Sequence, residues 1–131
     1  MSKWITYGLA LACTALALLV PWTYYGDTGF GVTRFPGWPI YLVGALVLHA
    51  CSWWPSVAGR VSAAAGGAVA LVTAFVLMLG YDDAGALFDG PVILVVPVMG
   101  WGGFLAVAGV LVNLVLVGFR KMPARREFAA N

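Results

Sequence analysis

The chain has 131 residues, 63% of them hydrophobic and 9% charged, with seven lysines and arginines against five aspartates and glutamates. Soluble domains carry about 25% charged residues, so this composition excludes an ordinary soluble fold. The net charge is +2, and the short basic tail is expected to fix topology and touch anionic lipid, not to bind nucleic acid.

The few charges fall into gaps between four uncharged stretches, residues 4–26, 35–59, 61–81 and 90–119. A bilayer core about 30 Å thick needs roughly 20 apolar residues of helix, and every stretch meets that length. The reading is all-α: a single integral membrane four-helix bundle with helices over about 4–20, 39–54, 61–80 and 98–119, and a short basic tail over 120–131. Lys3, Arg60, Arg120, Lys121, Arg125 and Arg126 cluster at the N-terminus, the middle loop and the tail, whereas Asp27, Asp82, Asp83 and Asp89 share the other two loops with Arg34. By the positive-inside rule both termini are expected in the cytoplasm, in a bacterial or archaeal plasma membrane. A cleaved signal peptide is the competing reading of the first segment, but its apolar run continues to Trp22, which suits a span better. A lipoprotein reading at Cys13 fails because the apolar run before it is too short.

Helix 1 closes at Pro21-Trp22 on the outer surface. The loop that follows, residues 24–39, is rich in glycine, proline and aromatics. It is expected to be irregular, lying flat on the membrane or covering the bundle. Helix 2 starts at Pro39, which suits a first-turn position, and ends at Trp53-Trp54-Pro55 on the inner side. On helix 3, Ser62, Gly66, Ala70 and Ala74 recur every four residues and predict a packing seam, because close backbone approach drives helix association in lipid. Leu71 lies off that strip and is expected to face lipid. In the last stretch Pro97 disrupts a helix, so a kink or separate turn is expected over 91–96. Gly100, Gly102, Gly103, Ala106 and Gly109 give the final span a second small-residue surface.

His49 is the only histidine and falls about midway along the expected second helix. Polar groups at that depth are costly and face the protein interior. It is the one candidate cofactor-binding residue, as an axial ligand to a haem or chlorophyll, or a proton relay; the competing role is a neutral hydrogen-bonding group. Asn113 is the other costly intramembrane polar residue, expected to make a structural hydrogen bond. Cys13 and Cys51 lack the spacing of a dithiol redox pair. Asp82, Asp83 and Asp89 lack the ordered ligand spacing of a calcium loop.

No catalytic set and no metal site is assembled by these residues, and the sequence names no cofactor. The chain lacks the intramembrane glutamate of small multidrug transporters and the paired cysteines of vitamin K epoxide reductase-like enzymes. The expected role is therefore an accessory or structural subunit of a larger membrane complex, without catalysis of its own. Its partners would be membrane lipid and other integral membrane subunits or copies of itself, with no nucleic acid. Small-residue strips on two helices, more than one tight pair requires, add to that expectation. The alternative is a small homo-oligomeric transporter or channel.

Overall fold

The computed structural model describes residues 2–90 and 95–121. The turn expected at Pro91 and the tail beyond Lys121 therefore lie outside the described residues. The fold is mostly helical: α1 Lys3–Leu19, α2 Trp38–Cys51, α3 Val57–Leu79, the single turn α4 Ala84–Leu87, and α5 Trp101–Phe119. Strands β1 Thr23–Tyr25, β2 Thr28–Phe30 and β3 Pro97–Met99 form one antiparallel sheet in the order β2-β1-β3. With 23 and 19 residues, α3 and α5 are long and apolar enough to cross a membrane. The other two long helices are shorter, 17 residues in α1 and 14 in α2.

The helix ends differ from the sequence expectation for local reasons. The segment Phe35-Pro36-Gly37-Trp38 forms a turn with Gly37 at φ 86° and ψ 3°, and the Trp38 amide donates to the Phe35 carbonyl at 3.4 Å. Proline followed by a positive-φ glycine is the chemistry of a type II turn, and it launches α2 at Trp38. That helix stops at Cys51, short of the expected Trp54. Pro55 disfavours helical backbone at Trp54, and the Ser52 hydroxyl donates to the His49 carbonyl at 2.8 Å. Ser56 then caps α3 by accepting the Gly59 amide at 3.0 Å, a bond worth about 1 kcal/mol. Arg60 is absorbed into the first turn of α3, where its guanidinium donates to the Gly118 carbonyl at the end of α5, 2.6 Å away. A cation at a helix C-terminus also opposes the negative end of the macrodipole.

The connections that follow α1 and α3 contain the sheet, which the sequence reading lacked. Tyr25 pairs with Thr28 around Gly26-Asp27. Gly26 has φ +61° and no described non-glycine residue has positive φ, so the hairpin turn is type II′, with glycine at its first central position. The segment expected to open the last helix at Val98 instead pairs Pro97 with Tyr25 and Met99 with Thr23. Pro97 stands at the start of its strand, where a missing amide is tolerated. The Gly100 amide donates to the Trp22 carbonyl at 2.8 Å and the Gly102 amide to the Pro21 carbonyl at 3.0 Å, so α5 begins at Trp101.

Aromatic side chains fill the space under this sheet. Trp22 is 2% exposed, and its indole nitrogen donates to the Ala17 carbonyl at 2.7 Å. Its ring lies 5.8 Å from Tyr41 and 6.2 Å from Phe35, while Tyr25, Phe30 and Phe88 form a second group at 5.0–6.0 Å. The loop aromatics therefore cover the end of the bundle. Burial first, then the charges of Asp82 and Asp83, push the Tyr25 phenol above its ordinary 10.0. Thr23 ties the sheet to the turn after α3 by donating to the Tyr81 carbonyl at 2.9 Å.

The four long helices pack in the order α1-α5-α3-α2. Each seam is lined by small residues. A Cβ on Gly66 would stand 2.8 Å from the Gly44 carbonyl oxygen and from Val47, and one on Gly44 would stand 2.8 Å from the backbone of α3. Ala70 and Ala74 are fully buried. Gly67 faces Leu114 and Gly103 faces Met78 between α3 and α5, while Gly109 lies against Ala10 and Thr14 between α1 and α5. Leu71, expected at the lipid face, is half-buried against the core. It sits one residue after the buried Ala70, about 100° around the helix, which turns it toward a neighbouring helix.

Candidate functional site

His49 is held by two other helices. Its Nδ1 is 2.7 Å from Asn113 Nδ2 on α5, and its Nε2 is 3.0 Å from Thr14 Oγ1 on α1. Asn113 Nδ2 donates, so the ring proton sits on Nε2 and is donated to Thr14. The Thr14 hydroxyl in turn donates to the Ala10 carbonyl at 2.9 Å. This chain of donors ends on a backbone oxygen, and both ring nitrogens of a neutral imidazole are used. Asn113 and Thr14 are buried, and His49 is half-buried between them.

The position differs from the expectation in one respect. Because α2 ends early, His49 stands in its last turn, not at its middle. Its partner Thr14 nevertheless lies roughly 16 Å along α1 from Lys3 at 1.5 Å per residue, so the group is interior to the bundle. Thr14 was missed by the sequence reading; the available signal was a hydroxyl residue inside the apolar run 8–19 of the first helix. Asn113 Oδ1 and Tyr41 Oη are buried without a hydrogen-bond partner among the described residues.

The other candidates fall elsewhere. Ala106, Gly102 and Gly109 are buried, Gly102 against the Trp22 indole. Ser62 is exposed on the wall of an apolar groove of about 570 Å³ between α2 and α3, with Val43, Val47, Ala65 and Val69. Cys13 and Cys51 are free and half-buried. The aspartates of the cluster do not converge: Asp83 caps α4 by accepting the Ala86 amide at 3.3 Å, and Asp89 lies 3.8 Å from Arg34. No group of three His, Cys, Asp or Glu side chains able to hold a metal occurs among the described residues.

At the opposite end stand Lys3, Arg60, Arg120 and Lys121. The Arg120 guanidinium donates to the Ser52 carbonyl past the end of α2. Trp53 stacks at 5.2 Å from both Trp4 and Tyr7, closing α1 against the end of α2. Comparison with protein families, with curated proteins and with solved structures finds no match, so the chemistry of these clusters carries the functional reading.

Proposed function

We propose that the chain is a four-span membrane protein with both termini and the α2–α3 turn at the cytoplasmic face, serving as a non-catalytic subunit of a larger membrane assembly. The observation that carries this reading is the closure of the His49 cluster. Each ring nitrogen is engaged by a side chain of the same bundle, so the histidine acts as a staple joining α1, α2 and α5 instead of presenting a free nitrogen to a pigment or a moving proton. Intramembrane polar bonds of this kind average about 0.6 kcal/mol and reach about 1.7.

Two further features support the membrane placement. Large apolar side chains stay exposed on every long helix, among them Leu11 and Leu19 on α1, Leu46 on α2, Val72 and Val76 on α3 and Val115 on α5. The described carboxylates all lie at one end, with Lys3, Arg60, Arg120 and Lys121 at the other. At roughly 21 Å, α2 falls short of the hydrocarbon core. The hydrogen-bonded sheet and aromatic cap above it and Trp53-Trp54 below it complete the crossing, since irregular backbone is tolerated at depth where protein covers it.

The small residues support the subunit role less directly than the sequence suggested. Gly66, Gly67, Gly103 and Gly109 are used in seams within the chain, so the subunit reading rests on the closed His49 cluster.

Topology is tested by single thiols introduced into a background free of Cys13 and Cys51. A thiol after Lys121 should resist an impermeant reagent in intact cells, and one at Asp27 should react. Reaction of the tail site from outside overturns the orientation. The functional test is His49→Gln in purified, reconstituted protein. The spectrum and any solute flux should be unchanged, while gently extracted native protein should run as an assembly larger than the chain alone. Loss of an absorption band or of flux in the variant would promote the pigment or transporter reading, and a monomer after gentle extraction would remove the subunit reading.

A further inference from the structure

The inner end of the bundle holds a cleft of about 280 Å³ where the start of α1, the end of α2 and the end of α5 meet. Two cations edge it, Lys3 and Arg120. The Lys3 ammonium makes no hydrogen bond or ion pair among the described residues, and Arg120 uses one guanidinium nitrogen on Ser52. No described carboxylate lies at this end to neutralise them, because Asp27, Asp82, Asp83 and Asp89 all belong to the outer connections.

The rest of the cleft is amphipathic. Tyr7 adds a hydroxyl beside the cations, whereas the Ser52 hydroxyl is used on the His49 carbonyl. Trp4 and Trp53 form one wall, Leu116 and Phe119 the other. Phe119 is 85% exposed and Trp4 70% exposed, so the apolar walls run outward onto the flank of the bundle. A pocket for a drug-sized ligand measures about 300–1,000 Å³, and this one is just below that range. It suits the head of a molecule whose remainder lies along the flank.

We propose that this cleft binds the phosphodiester headgroup of an anionic phospholipid. Lys3 and Arg120 meet the phosphate oxygens, Tyr7 offers a hydroxyl to them, and the acyl chains lie over Leu116 and Phe119. Free phosphate shares the headgroup chemistry but gains nothing from the apolar walls. Tryptophan and tyrosine favour the headgroup level of a membrane, and here they stand beside the two cations. The proposal rests on the membrane reading above, and flotation of the wild-type protein with phosphatidylcholine liposomes tests that reading independently of any lipid preference.

The test uses the full chain purified in mild detergent, with the lipids it carries removed. It is titrated in separate arms with dioctanoyl phosphatidylglycerol, dioctanoyl phosphatidylcholine and inorganic phosphate. Native mass spectrometry counts retained ligand, and tryptophan fluorescence follows Trp4 and Trp53. One phosphatidylglycerol should be retained per chain, with phosphatidylcholine at least tenfold weaker and phosphate unable to displace the lipid. Each cation removed should weaken retention about fivefold, so Lys3→Gln and the double variant Lys3→Gln/Arg120→Gln form a graded series. Lys121→Gln, outside the cleft, should change retention less than twofold. Arg120→Gln also removes a bond to α2, so Lys3→Gln decides the matter alone if the double variant does not fold. Equal retention of the two lipids, competition by phosphate, or full retention in Lys3→Gln each overturns the proposal.

Discussion

Trp22→Ala is expected to cost the fold about 3–5 kcal/mol, the range for emptying a buried tryptophan site. The residue is 2% exposed and is held on every side: its nitrogen donates to Ala17, its ring meets Phe35 and Tyr41, and Gly102 of α5 lies directly on the indole. Its backbone carbonyl also receives the Gly100 amide, and its amide donates to Phe30. The substitution therefore loosens the joint between α1, the sheet and the start of α5 together. The checking measurement is thermal or denaturant unfolding in a mild detergent, followed by the remaining tryptophans. Trp22→Phe should retain most of the stability and lose chiefly the indole bond, about 1 kcal/mol. Wild-type stability in Trp22→Ala would mean that the aromatic cap does not pack as described.

The long helices were legible because each follows from an uninterrupted apolar run. Their ends were not, since these depend on single residues with long-range partners. Arg60 looked like a loop marker from its charge, yet it enters α3 because Gly118, distant in sequence, supplies an acceptor. The sheet was hidden for a related reason. Each strand is three residues long, too short for an alternating pattern, and β3 pairs with β1 across a long sequence separation. The hairpin did carry a local sign in Gly26-Asp27, which the surrounding glycines and aromatics masked.

Within the candidate site, the cost of burying His49 pointed to a partner, and Asn113 was visible as a second costly group. What joined them, and brought Thr14 to the other ring nitrogen, is the pairing of α1 with α5 and of α2 with α3. No period along a single helix encodes that order. Lys3 and Arg120 read as topology markers for the same reason: their meeting in one cleft depends on how three helix ends converge.

Gly66→Leu is expected to destabilise the bundle by about 1–3 kcal/mol or more, the cost of overpacking a close seam. A first side-chain carbon at Gly66 already stands 2.8 Å from the Gly44 carbonyl oxygen and from Val47, and a backbone oxygen cannot swing aside as a flexible side chain can. The helices must separate, and the loss extends to Ala70 and Ala74 along the same face. Val72→Leu, on an exposed flank, is the matched control and should change stability by less than about 0.5 kcal/mol. Leu71 would be a poor control because it is half-buried. The seam lies within one chain, so the loss should be independent of protein concentration in detergent, and Gly44→Leu should show a similar loss. The double variant Gly44→Leu/Gly66→Leu should cost less than the sum, because once the helices have parted the second side chain meets less resistance. A loss in Gly66→Leu that grows on dilution would place the seam between copies of the chain, and equal losses in Gly66→Leu and Val72→Leu would remove the seam altogether.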